Sequence, residues 1–202
     1  MTEVSINKQV KLSQHFTLGE LCKTGVKTAD GNIPSHVHIE NLKRVCEWLE
    51  ELRRRYNQQY VCENEERSVS PPELGGARGG LNEGMSGASS DHPAHTGTPP
   101  NLGGEINTDA PIIITSGYRS PELNKKVGGS PTSNHLTGCA VDIRVAGIEQ
   151  AMRYAVILMD YADETKQDYD ELLIERNKSG GYWLHFAVRP KDNRRKTMFI
   201  QK

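Results

Sequence analysis

An α+β fold, with a small and mostly antiparallel sheet and N-terminal helices packed on it, is predicted by three features of the chain. Helical patterns come first, short β-branched and alternating runs follow from Ile112 onward, and one further helical pattern, from Ile148, interrupts them. The 202 residues are enough for one domain with its own core. The expectation is a single domain over 1–202, carrying a flexible insertion over 63–109.

Residues 1 to about 15 read as an extended lead-in. Thr17-Leu-Gly-Glu20 matches a capping box, with Phe16 and Leu21 at the staple positions, and predicts a short helix through Cys22. Pro34-Ser35 opens a longer helix, in which Ile39, Leu42, Val45, Cys46, Leu49 and Leu52 form one apolar stripe to about Tyr56. His36 and His38 flank its start. A H-x-H pair can hold a metal, but with no acidic or cysteine partner at ligand spacing they read as polar helix-start residues. The 63–109 stretch is thick with Gly, Pro and Ser and has no Phe, Trp or Tyr. Nothing in it offsets a backbone ordering cost of about 1–2 kcal/mol per residue, so an insertion is expected rather than a boundary between two domains. His92 and His95 inside it read as a disordered pair.

Ile112, Ile113 and Ile114, flanked by Pro111 and Gly117, read as a buried strand. Ser116-Gly-Tyr-Arg119 leads into a helix with Ser120 as N-cap and Pro121 at its first position, stopped after about Val127 by Gly128-Gly129. Ala140 to Val145 is the next strand, and a helix from Ile148 ends near Ala162. Glu171–Glu175 and Tyr182–Val188 are strands joined by the turn 176–181, with Met198, Phe199 and Ile200 as a last short strand. In Tyr182–Val188, Leu184, Phe186 and Val188 face the core, so His185 points to the opposite side, toward a cleft. If residues 173 and 185 pair directly, Glu175 faces Trp183 and lies diagonal to His185, about 7–8 Å away.

Composition narrows the function. Net charge is −1 and no segment carries a dominant basic field, which excludes a nucleic-acid partner. Arg194-Arg195-Lys196 reads as a solvated turn. The four cysteines (Cys22, Cys46, Cys62 and Cys139) show no C-x-x-C spacing and are expected to be reduced thiols. No run reaches the roughly 20 apolar residues that span a bilayer, and the first residues lack an apolar signal core. The expectation is therefore a cytoplasmic protein as synthesised, without a membrane span, and a monomer.

The chemistry concentrates in Ser133-x-His135-x-x-Gly138-x-Ala140-x-Asp142 and in Trp183-Leu-His185. Two histidines and an aspartate supply three protein ligands to Zn²⁺ and leave a fourth position open to water, an arrangement that belongs to a hydrolase. Glu175 is the candidate general base, with Glu171 and Asp170 as alternatives on the same strand. Arg119 either holds a substrate carboxylate or an oxyanion, or forms a structural ion pair. Ser133 either fixes the local turn or meets substrate, and Tyr118 and Trp183 are the other candidate substrate contacts. Ser133, His135 and Asp142 have the residue types of a serine triad, but no G-x-S-x-G elbow surrounds Ser133, which argues against a serine nucleophile.

Together, Ser116-Gly-Tyr-Arg-Ser120, the His135–Asp142 motif, and Trp183-x-His185 followed by Asn193-Arg194-Arg195 resemble the zinc D-alanyl-D-alanine carboxypeptidases. That family includes D-alanyl-D-alanine dipeptidases, phage L-alanyl-D-glutamate endolysins and the hedgehog fold. The resemblance runs from about Leu12 to residue 202, apart from the insertion. It implies a hedgehog-like fold, one Zn²⁺ on His135, Asp142 and His185, an arginine at position 119 that steadies substrate, and a glutamate base near the last ligand. Many relatives place that glutamate three residues before the final histidine, where this chain has Tyr182. Glu175 matches instead the branch whose glutamate ends the preceding strand. The implied activity is peptidase action on peptidoglycan stem peptides, of carboxypeptidase or endopeptidase type, reaching the wall by phage-type lysis or by a non-standard route. The alternative is a non-catalytic, metal-stabilised wall-binding or phage structural module.

Overall fold

Helix α1 (Leu18–Leu21) begins where the sequence places it. The Thr17 side chain accepts from the Glu20 N–H, and the Glu20 carboxylate accepts in return from the Thr17 N–H. The computed structural model describes residues 7, 9–61 and 109–202, so the 63–109 insertion, apart from Asp109, lies outside the described residues, as do Cys62, His92 and His95. The expected lead-in is in part a tight turn, closed by Leu12 N–H on Phe16 O and Leu18 N–H on Val10 O.

Helix α2 (His36–Tyr56) is capped by Ser35, and His38 stands at the N3 position. Its Nδ1 accepts from the Ser35 N–H at 3.2 Å, a histidine completing a capping box usually closed by Glu or Gln. Helix α3 (Pro121–Lys126) starts at Ser120, and its C-cap is followed by Gly128 at φ 71°, a conformation that suits glycine. Helix α4 (Ile148–Thr165) runs three residues past the expected end and stops where Lys166 turns left-handed at φ 57°.

Among the described residues five strands form one mixed sheet: β1 (Ile114–Ser116), β2 (Ala140–Arg144), β3 (Glu171–Arg176), β4 (Tyr182–Ala187) and β5 (Lys196–Gln201), in the order β1-β2-β4-β3-β5. Three neighbouring pairs are antiparallel, and β3–β5 is parallel. The hairpin register is Leu173 opposite His185 and Glu175 opposite Trp183. One face of β2, β3 and β4 carries Val141, Ile143, Leu172, Ile174, Leu184 and Phe186, buried under α2 and α4 with Trp48, Leu49, Tyr154 and Leu158. The other face carries Asp142, His185 and Glu175 (an alternation that places chemistry on one side of the sheet and the core on the other). No helix among the described residues is long and apolar enough to cross a membrane.

Two strands differ from expectation. The isoleucine run does not form a buried strand. Pairing is irregular between Ile114 and Ser116, β1 sits at the sheet edge, and Ile113 is exposed while Ile112 is buried just before it. An edge position satisfies one side only, so apolar content alone did not imply burial on both faces. The basic cluster, in turn, is exposed at Arg194 and Arg195 as expected, but it is paired with acids and runs into a strand. Arg194 pairs with buried Asp170, Arg195 with Asp163 and Asp168, and Lys196 opens β5.

Candidate metal centre

The first ligand candidate rests on a one-turn 3₁₀ helix, Asn134–Thr137. Ser133 is its N-cap, with Oγ accepting from the His135 N–H at 3.3 Å, which realises the turn-fixing role. Gly138 ends the turn at φ 71°, and a Cβ there would lie 2.6 Å from the His38 carbonyl oxygen. The chain then enters β2, whose third residue is Asp142. His185 lies directly opposite Asp142 on β4.

These placements bring three side chains together. Asp142 Oδ1 lies 3.2 Å from His135 Nε2 and 2.9 Å from His185 Nδ1. One ligand atom from each residue falls within 4.8 Å of the others, and the residues are 2, 9 and 7 % exposed for His135, Asp142 and His185 respectively. His135 Nδ1 lies 2.6 Å from the Gly117 carbonyl, which can only accept, so that nitrogen carries the proton and Nε2 is left bare. A bare nitrogen, a carboxylate oxygen and a second ring nitrogen converging in a buried pocket fit a divalent cation, zinc being the ion best matched to this donor set.

The surrounding charges are consistent with that use. Burial opposes charge on Asp142, but both histidines hold its carboxyl well below the usual carboxylate range. Burial depresses His135, leaving it neutral. His185 is also opposed by burial, yet the Asp142 and Glu171 carboxylates overcome this and raise it to about 9. In the metal-free protein His185 therefore keeps its proton at neutral pH, and a metal must displace it. Zinc binding at pH 7 is expected to release one proton, from His185, and affinity is expected to climb about tenfold per pH unit until near pH 9. Calorimetry in buffers of different ionisation enthalpy counts that proton.

The remaining sequence candidates divide. Glu175 is 5 % exposed, and its carboxylate pairs with the Lys202 ammonium. Trp183 lies on the same face, its ring 5.1 Å from the Lys202 ammonium. Arg119 Nη2 meets Asp142 Oδ2 at 2.5 Å, its Nε donates to Ser116 Oγ, and its backbone N–H donates to His135 O. Arg119 thus ties the two ligand-bearing segments together. Ser133, Arg119, Glu175 and Trp183 all line a cleft of about 650 Å³ that also contains the three metal candidates.

Tyr118 is the exception. It is 4 % exposed, its ring stacks on His38 at 4.8 Å, and it is absent from the cleft wall. The expected substrate contact is replaced by packing. A strand-to-helix junction lets successive side chains diverge, and Arg119 took the cleft side while Tyr118 took the core. Sequence reasoning also gave no part to Asn134, whose Nδ2 donates to Asp170 and Glu171.

Residues 105–167 match the family model described as Peptidase M15, a stretch that contains Arg119, His135 and Asp142 and ends before Glu175 and His185. The match supports a metallopeptidase. No curated protein matches the chain.

Proposed function

We propose that this chain is a zinc peptidase that hydrolyses peptide bonds in bacterial peptidoglycan stem peptides. The observation that carries the reading is the meeting of His135 Nε2, Asp142 Oδ1 and His185 Nδ1 on the floor of one cleft. Zinc held by these three residues would supply a Lewis acid for the scissile carbonyl and lower the pKa of water.

The chain's own groups supply the rest. Glu175, a carboxylate on the cleft wall whose partner is the half-exposed Lys202 ammonium, takes the proton of the attacking water and returns it to the leaving amine. Arg119 keeps a positive charge in the cleft wall beside Asp142, where a developing oxyanion or a substrate carboxylate can meet it. Ser133 and Trp183 offer a hydroxyl and a ring to the peptide on that wall. The cleft volume suits a short peptide segment.

Incubating the zinc-loaded protein with muropeptides and weighing the products by mass spectrometry tests the reading. The bond cut also separates carboxypeptidase from endopeptidase action. Glu175→Ala is expected to keep stoichiometric zinc and to lose about 10²- to 10⁴-fold in turnover. Zinc-loaded protein that leaves every muropeptide intact would instead identify a metal-stabilised binding module.

A further inference from the structure

On the cleft face of the sheet His185 has a glutamate diagonal to it on each side. Glu175 sits opposite Trp183, and Glu171 sits opposite Ala187, with Leu173 between them opposite His185 itself. The two carboxylates are held very differently. Glu171 Oε2 accepts from Asn134 Nδ2 at 3.0 Å and lies 3.6 Å from His185 Nε2. Its Oε1 lies 3.0 Å from Arg194 Nη2 and 3.6 Å from Lys196 Nζ. Both oxygens are committed, to partners from the 3₁₀ turn, the loop before β5, β5 and β4. Among the described residues Glu175 has one ion-pair partner, the half-exposed Lys202.

A group that orients a ligand must be fixed, whereas a group that carries a proton between water and a leaving amine must be free to shift. Because His185 turns Nδ1 toward Asp142, its Nε2 points back at Glu171. We propose that the two glutamates divide the work around His185, with Glu171 a positioning residue whose fixed carboxylate, 3.6 Å from Nε2, holds the proton on that nitrogen by charge and so presents Nδ1 to the metal. The proposal rests on the zinc peptidase reading. It gives the two histidine ligands opposite tautomers: His135 protonated on Nδ1 against Gly117 O, and His185 protonated on Nε2 against Glu171. Asn134 couples them, since it adjoins His135 in the chain, donates to Glu171 and Asp170, and accepts from Arg189 Nε at 2.9 Å.

The test compares Glu171→Ala, Glu171→Gln, Lys196→Met and Glu175→Gln by three readouts. These are zinc affinity from chelator competition, turnover per bound zinc, and histidine ¹⁵N spectra of the zinc-loaded protein. Glu171→Ala is expected to weaken zinc about 10- to 100-fold and to lose the protected Nε2–H signal of His185. Glu171→Gln keeps an acceptor oxygen and is expected to recover most of the affinity. Lys196→Met removes an exposed ion pair to Glu171 without touching His185, and is expected to bind zinc within about threefold of the parent. Glu175→Gln is expected to keep zinc and lose turnover. Unchanged zinc affinity in Glu171→Ala overturns the proposal. So does an equal loss in Lys196→Met, which marks a merely structural role. Glu171→Gln holding zinc but losing turnover, while Glu175→Gln stays active, shows the roles reversed. Parent protein that binds no zinc refutes the underlying metal site itself.

Discussion

Asp142→Ala is expected to remove the metal and to destabilise the metal-free protein by about 3–5 kcal/mol, the usual cost of breaking a buried ion pair from one side. The size follows from what that carboxylate holds. Oδ1 is shared by His135 and His185, and Oδ2 meets Arg119, so one truncation strands a guanidinium and a charged imidazole in a buried site. Asp142→Asn separates shape from charge. It fills the same space and keeps an acceptor oxygen, but removes the negative charge, so fold should suffer less than zinc binding. Urea denaturation after chelation measures the first effect, and metal analysis of the purified variant measures the second.

Gly117→Ala carries the second large effect, although residue 117 touches neither metal nor substrate. A Cβ at this position would lie 2.2 Å from the Leu21 carbonyl oxygen and 2.9 Å from its carbon, both backbone atoms. Nothing there can swing aside, since the same oxygen accepts from the Tyr118 N–H at 2.7 Å. The backbone must move, which costs about 1–3 kcal/mol. The movement also displaces the Gly117 carbonyl, the group that fixes the ring of His135. Zinc affinity is expected to fall about 10- to 100-fold along with stability. Gly147→Ala is the control, because a Cβ there meets nothing within 4 Å among the described residues, and its effect should stay below about 1 kcal/mol, the cost of an alanine at the N-cap of α4. Thermal unfolding with and without zinc separates the two losses.

Much of this arrangement was legible in the residues. Period-two alternation in Tyr182–Val188 put His185 opposite the core, and the pairing of 173 with 185, entertained only as a condition, is the register found. Capping residues marked helix starts at Thr17, Ser35 and Ser120, because a cap is a local interaction that a short stretch of sequence contains whole. Other features depend on partners far along the chain. That Arg119 rests on Asp142, that Tyr118 turns inward to His38, and that Glu171 stands behind His185 depend on how β1 meets β2, how α2 packs, and how β3 meets β4. β5 pairs in parallel with β3, and just before it Arg194 and Arg195 bind acids at 163, 168 and 170. A run of basic residues does not disclose which acids it will find.

Crystals grown with zinc, with anomalous diffraction recorded at the zinc edge, address the central claim most directly. The expected result is one peak per chain, about 2.0–2.2 Å from His135 Nε2, an Asp142 carboxylate oxygen and His185 Nδ1. A peak on other side chains, or no peak in the cleft of a folded, zinc-soaked crystal, would contradict it.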